Sequence, residues 1–479
     1  MNIKKSLIYS FSESYLIVII QLGSSMVIAR LLTPEEIGQF SIGIAILAIA
    51  HMLRDFGIGN YLIQEKELTK QKIKTAFGIT LLIAWFLAVI LFSSRYLIAD
   101  LYNEGNIATI LGWMSINFLI IPFSSPTLAI FRREMKFHLI FYINLISSII
   151  SAGTAIYLAK NNFSYMSLVW SSIANISTTA LLVALFKPRE TFILPSLKNS
   201  KEILTFGGIS SLSNLISTLG QNSAELIIGK ALGFSSVAIL SKATTINNLF
   251  RDNFIGSISK VFLPLISEYN RKNIPLNTPY MIATSYISSL ALPFYGLLAI
   301  YADLIIRLLF GEQWIESAEL IRILSISGMI QSFYSFAPST IYAINKPKSV
   351  LHCETINQSV KVTLMFIASF YSLKIIAWSF VVSNIIALCI YTSTLKKLIN
   401  IKSLKVISKI IIPSILILIT STLIPFYIQY YIEFHTNNTI SFIYGHALYA
   451  LFSLLSWVST LILLDYPIKH EIIKILKLN

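Results

Sequence analysis

The stretch QLGSSMVIARLLTPEEIGQFS, from Gln21 to Ser41, joins two long apolar segments through four residues, Thr33-Pro34-Glu35-Glu36. The segments run from Ile8 to Leu32 and from Ile37 to Ile63, and each exceeds the about 20 residues of helix that cross a bilayer. In hydrocarbon every backbone N–H and C=O must be satisfied within the segment, so this stretch reads as the turn of a membrane hairpin. Twelve more apolar segments follow: Ala76 to Phe92, Ile107 to Phe131, Leu139 to Ala159, Phe163 to Phe186, Ile203 to Ile228, Ser235 to Ile266, Pro279 to Tyr301, Leu320 to Ile344, Leu351 to Phe370, Ile375 to Leu395, Val406 to Tyr427 and Ile440 to Leu464. The expected fold class is an all-α polytopic membrane protein with about fourteen spans, numbered one to fourteen below.

Composition agrees, with 55% hydrophobic and 12% charged residues, the latter about half the share usual in soluble domains. With the N-terminus assigned to the cytoplasm, most of the 37 basic residues fall in every second connection, among them Lys66, Lys70, Lys72, Lys74, Arg132, Arg133, Arg271, Lys346, Lys396 and Lys397. Basic residues resist translocation, so both termini are expected to be cytoplasmic. The net charge of +15 then lines one leaflet and forms no groove for nucleic acid, which is excluded as a partner. Cys353 and Cys389 lie in apolar segments and suggest neither disulfide nor metal. Segment one, preceded by Lys4 and Lys5, carries Glu13 and no small-residue cleavage site, and reads as an uncleaved span.

The opening stretch returns about two hundred residues later, from Gln221 to Ser241, where Lys230-Ala231-Leu232 answers Arg30-Leu31-Leu32. Leu53-Arg54-Asp55 with Ile58-Gly59 likewise answers Phe250-Arg251-Asp252 with Ile255-Gly256. Both copies start on the same side, so the repeat is parallel, as in transporters that rock two bundles around an interfacial site. Two six-segment lobes, 1–198 and 199–397, with 398–479 as an addition, are the expected organisation.

Polar residues keep to single helix faces. In segment seven Ser210, Asn214, Ser217, Gln221 and Glu225 recur at steps of three and four, and segment one carries Ser10, Ser14, Gln21 and Ser25 in the corresponding places. Segment eight carries Ser241, Thr245, Asn248, Asp252 and Ser259, and His51 precedes Asp55 by four in segment two. Such stripes must face protein or a water-filled cavity. Hydrogen bonding between packed helices is the alternative for any one serine, and the recurrence at matching places in both halves favours a cavity.

Ionisable residues at membrane depth are costly and functionally suspect. They are Glu13, Arg54, Asp55, Glu225, Lys242, Arg251, Asp252 and Lys361. Neighbours on a helix point about 100° apart, which leads to the expectation that Arg54 cannot bridge Asp55, nor Arg251 bridge Asp252. Three readings stay open: cross-repeat pairs forming a gate, cations that bind an anionic substrate, or static salt bridges. Lys260 and Glu13 lie near segment ends and can reach the interface. His51 is either a pH-responsive group or a hydrogen-bonded packing residue. Pro122, Pro126, Pro293 and Pro338 are expected to break or bend segments four, nine and ten.

Several stretches resemble the bacterial polysaccharide transporters, oligosaccharide flippases of the multidrug/oligosaccharidyl-lipid/polysaccharide exporter superfamily. These are Ile28 to Gly38 continuing to Arg54-Asp55-Phe56-Gly57, Phe131 to Phe137, Glu225 to Gly233, Leu309 to Trp314 and Asn345-Lys346-Pro347. They cover the chain to about residue 350, and the last third matches mainly by its spans. Glu225 and Asn345 stand where Asp and Gly are expected. The resemblance implies a flippase, not an enzyme, moving an undecaprenyl-pyrophosphate-linked oligosaccharide across the cytoplasmic (inner) membrane by alternating access, for O-antigen lipopolysaccharide, capsule or exopolysaccharide. In that picture Arg54, Arg251, Lys242 and Lys361 bind the pyrophosphate or acidic sugars. Asp55, Asp252 and Glu225 serve gating or a coupling proton or sodium ion, no other cofactor being implied. Ser210, Asn214, Gln221, Asn248, Gln21 and His51 line the polar cavity. The partners are membrane lipid, the lipid-linked substrate and polysaccharide polymerase machinery.

Three alternatives stand beside it: a cation-coupled drug or metabolite exporter, a lipid II flippase, and a membrane O-antigen polymerase or ligase. The exporter branch usually has twelve spans, and the enzymes need a larger outer loop than the stretch from about Ala302 to Glu319. The lipid II flippase shares the fourteen-span plan.

Overall fold

The computed structural model describes residues 3–55, 57–186, 195–198, 200, 208–401, 406–427, 439–464 and 466. Side chains are described for these except 3–14, 208–211, 213, 260, 407, 439–448, 450 and 451. Helices occupy the described parts of all fourteen apolar segments, and no strand occurs among the described residues. Nine helices there are long and apolar enough to cross a membrane by length and composition. Segments one, seven, eight, eleven and fourteen fall outside that set; seven, eight and eleven are the helices that hold Asn214 and Gln221, Lys242 and Asp252, and Lys361. Segment eight is divided into two helices of 16 residues on either side of its π-turn.

The repeat is visible in the element boundaries. Segment one ends as Ile3–Leu31 and segment two begins as Pro34–Asp55; segment seven ends as Gly208–Ala231 and segment eight begins as Phe234–Leu249. Thr33 and Gly233, at φ +85°, occupy equivalent turns. At the first of these a capping box starts the helix. The Thr33 N–H donates to Glu36 Oε2 at 2.7 Å, and Thr33 Oγ1 accepts from the Glu36 N–H at 3.3 Å. Pro34 takes the first helical position, where its missing N–H costs nothing.

Breaks occur with and without proline. Segment four is divided into Gly105–Met114, Ile116–Ile120, Ile121–Phe123 and Ser125–Arg133 around Pro122 and Pro126, and segment ten into Glu316–Ser332 and Ala337–Ala343 before Pro338. Segment nine, Asn277–Ile300, runs through Pro293 without a break; neighbouring helices in membranes re-satisfy what a proline frees. Segment two breaks without proline, because Gly57 at φ +75° starts a separate helix, Ile58–Gln64, in a conformation that favours glycine. Segment eight opens into a wide π-turn over Phe250–Ile255 before continuing as Gly256–Arg271.

The chain forms two compact units. The first comprises Met1–Ser241, Arg307–Trp314 and Met365–Ser372; the second comprises Lys242–Ile306, Ile315–Leu364 and Leu373–Asn479. In the first, Phe137–Lys160 packs along Met166–Phe186, joined by Ser151 to Ser171 at 2.9 Å and Thr179 to Ser147 at 2.9 Å, the small-residue hydrogen bonding that holds helices together in lipid. Helix Ile58–Gln64 is fixed from its end: the Arg133 guanidinium donates to the carbonyls of Leu62, Ile63 and Glu65 at 3.1, 3.2 and 2.5 Å, groups the helix cannot satisfy itself.

In the second unit segment thirteen meets segment nine through Ser414 Oγ, which donates to Ser288 Oγ at 2.8 Å. Segment fourteen meets it through Trp457, whose Nε1 donates to the Ser289 carbonyl at 3.0 Å.

Candidate functional site

The break at Gly57 leaves Arg54 and Asp55 at the end of Pro34–Asp55, on the wall of a cavity of about 540 Å³ in the first unit. Its volume falls in the range of small-molecule sites. His51 and Asn214, both expected there from the sequence, also line it. The His51 ring stacks on Phe118 with centroids 4.5 Å apart.

Side-chain reach overturns one expectation. Arg54 does bridge its neighbour, with Nη2 2.5 Å and Nε 3.0 Å from Asp55 Oδ1, and Arg251 Nε lies 2.9 Å from Asp252 Oδ1. The 100° rule describes Cβ directions on a regular helix; a long guanidinium stem curls round where the helix stops, at Gly57, or widens, in the π-turn.

The first pair is unequal. Arg54 is 7% exposed, whereas the Asp55 side chain is 57% exposed. Arg54 Nη1 is buried and makes no hydrogen bond. A buried donor without an acceptor costs about 1–3 kcal/mol, more when charged, and here it stands beside the cavity that Arg54 lines.

Other expected residues lie elsewhere. Gln21 is exposed on Ile3–Leu31, and Gln221 Nε2 donates to Ser217 Oγ at 3.0 Å. Glu225 is half-buried, and none of these three lines the cavity. Lys242, Asn248, Arg251, Asp252 and Lys361 belong to the second unit. Lys242 is buried, Asn248 half-buried, and Lys361 Nζ sits 4.6 Å above the Phe380 ring. The side chains of Ser210, Glu13 and Lys260 lie outside the described residues.

Among the lining residues that the sequence reading does not assign to the site are Arg132, Asn144, Asn175 and Thr179. Arg132 had been counted among the connecting charges. The other three carried a legible signal, since Asn144-Ser147-Ser151 and Ser171-Asn175-Thr179 repeat at steps of three and four.

The opposite end of the same unit, at the Thr33 turn, is sealed. Trp314 is fully buried and its Nε1 donates to the Ala29 carbonyl at 2.8 Å; Gln313 Nε2 donates to Leu32 O at 3.2 Å, and Arg30 Nη2 to Leu308 O at 2.7 Å. The motif Leu309 to Trp314 thus satisfies carbonyls at the end of Ile3–Leu31. Ser235 Oγ donates to Glu35 Oε2 at 2.9 Å. At Gly38 the two helix starts touch so closely that a Cβ would stand 1.9 Å from the Phe234 carbonyl oxygen. At Gly229 it would stand 2.2 Å from the Ile42 side chain.

Comparison with known proteins gives a consistent picture. The family described as "Polysaccharide biosynthesis protein" matches residues 27–319. The teichuronic acid biosynthesis protein TuaB of Bacillus subtilis (strain 168) is 22% identical over 321 residues, 66% of each chain. The lipopolysaccharide biosynthesis protein WzxC of Escherichia coli (strain K12) is 23% identical over 325 residues, 66% of this chain and 65% of that one. The matches thus span just under two thirds of these relatives. Among solved structures, the lipid II flippase MurJ in an inward closed conformation superposes with a TM-score of 0.75 at 17% identity, covering 94% of this chain and 98% of the other.

Proposed function

Because this chain belongs to the polysaccharide biosynthesis protein family, we propose that it is a flippase for a polyprenyl-pyrophosphate-linked oligosaccharide in surface polysaccharide synthesis, a transporter and not an enzyme. The observation that carries this reading is Arg54, a cation buried in the wall of a polar cavity with one nitrogen lacking any hydrogen bond. A sugar pyrophosphate cannot enter hydrocarbon without an alternative solvent. Arg54 and Arg132 offer it cations, and Asn144, Asn175 and Asn214 offer sugar hydroxyls donors and acceptors.

With both termini on the cytoplasmic side of the inner membrane, and fourteen spans, the cavity faces the cytoplasm and the Thr33 seal faces outward. Transport by alternating access requires that seal to part as the cavity closes. Sequence repeats of six segments, 1–198 and 199–397, supply the paired elements, and Arg251 with Asp252 is the second copy's counterpart of Arg54 with Asp55. The carrier's prenyl chain stays in lipid; an apolar cleft of about 660 Å³ in the second unit, bounded by Phe294, Leu297, Leu454 and Trp457, offers it a place. Asp55, with its exposed carboxylate, is the group to bind a coupling proton or sodium ion. Handover to a polymerase follows at the outer face.

Deletion of the gene tests the reading. Lipid-linked repeat units should accumulate facing the cytoplasm, and surface polymer should disappear until the gene is restored. Normal surface polymer in a deletion strain with no second flippase would overturn it.

A further inference from the structure

Segment three is one unbroken helix, Lys70–Tyr102, of 33 residues. Lys74 and Arg95 stand roughly 32 Å apart along it at 1.5 Å per residue, against a hydrocarbon core about 30 Å thick. If the apolar stretch between them spans that core, they stand at opposite interfaces whichever way the chain is inserted, near the depth of lipid phosphates.

Lys74 belongs to a run of lysines at the helix start, whereas Arg95 is held in place. Its guanidinium carbon lies 3.6 Å from the Phe92 ring centroid and 4.7 Å from that of Tyr96, and its Nη2 donates to Tyr96 Oη at 3.2 Å. From the other side Gly112 makes room: a Cβ there would stand 3.4 Å from Arg95 Cδ. Among the described residues no carboxylate lies within ion-pair distance of Arg95.

Around it runs a groove of about 620 Å³ between segments three and four. Thr109 lies beyond Arg95 toward the helix ends, while Val89 and Leu119 line the groove on the membrane-core side. Phe92, Val89 and Leu119 are exposed, so the groove opens sideways, and none of its lining residues is shared with the polar cavity.

We propose that this groove binds an anionic membrane phospholipid, with the phosphate on Arg95 and Thr109 and an acyl chain running past Phe92 along Val89 and Leu119. Charge complementarity selects the occupant. An arginine without a counter-ion at phosphate depth gains charge-assisted hydrogen bonds from a phosphodiester, and the apolar continuation toward the core fits a chain attached to it. A guanidinium that merely stacks and stays hydrated would show no preference among lipids. The proposal stands independently of the transport reading.

The test is native mass spectrometry of the full chain released from nanodiscs containing equal phosphatidylglycerol and phosphatidylcholine of identical acyl chains. Wild type should retain phosphatidylglycerol over phosphatidylcholine by about tenfold; Arg95→Gln should abolish the preference and Arg95→Lys keep part of it. A photoactivatable phosphatidylglycerol on the wild-type protein should label the segment from Ala88 to Leu119, a measurement that needs no variant. Equal retention in wild type, an undiminished preference in Arg95→Gln, or labelling confined to other segments would overturn the proposal. So would displacement of the lipid by soluble glycerol phosphate, which would place the affinity in the head group alone.

Discussion

The two ends of helix Pro34–Asp55 treat polar groups in opposite ways. At the Thr33 end donors meet acceptors within the protein: Trp314, Gln313 and Arg30 reach main-chain carbonyls, Thr33 and Glu36 cap each other, and Ser235 meets Glu35. At the Asp55 end a buried arginine nitrogen is left without an acceptor, beside a carboxylate that stays wet. The contrast separates a surface whose contacts are made within the protein from one that, in the proposed reading, is left to make them with a substrate. Side-chain size follows the same division, glycines at 38 and 229 admitting backbone and side-chain contact at the closed end and amide and guanidinium groups filling the wall of the hollow one.

Removing the waiting donor should have the largest effect. Arg54→Gln should lower transport, read as surface polymer restored to a deletion strain, by about two orders of magnitude, the scale of truncating one partner in a buried charged contact. The variant should still reach the membrane at normal abundance.

Forcing the closed end apart comes next. Gly38→Val places atoms where the Phe234 backbone lies, and overpacking of about 1–3 kcal/mol should shift the sealed population by about tenfold or more. A Ser41→Cys reporter should then react faster with a membrane-impermeant maleimide from the side of the Thr33 turn. An unchanged rate would mean that the two helix starts do not gate access.

The remaining changes are smaller. Arg133→Ala uncaps the carbonyls after Leu62 and frees helix Ile58–Gln64, which should cost about 2 kcal/mol and accelerate proteolysis near Glu65. Trp314→Phe keeps the buried ring and loses one hydrogen bond to Ala29 O, for about 1 kcal/mol. Thermal melts in detergent should resolve a shift of a few degrees with transport retained.

Much of this contrast could be read in the residues beforehand. The apolar runs fall on helices wherever they are described, the offset between Gln21 and Gln221 matches the offset of the helix boundaries, and the polar stripes include His51 and Asn214, which line the cavity. What escaped has physical causes. Gly57 breaks segment two where no proline stands, and a single glycine in an apolar run carries no marker of its φ. Arg54 and Asp55 pair locally because a flexible stem defeats a rule about Cβ directions. The partnership of Leu309 to Trp314 with the end of Ile3–Leu31 spans some 280 residues of sequence, and no local pattern announces which distant carbonyls an indole will meet. Arg132 was misplaced because a charge beside a connection looks alike whether it turns to solvent or inward.

Glu35 and Ser235 are the same position in the two copies of the repeat, yet they touch each other. Glutamate in both places would set two like charges at contact distance, where each disfavours the other's ionised form. The contact therefore works because the two copies differ at this place, serine giving the carboxylate a donor.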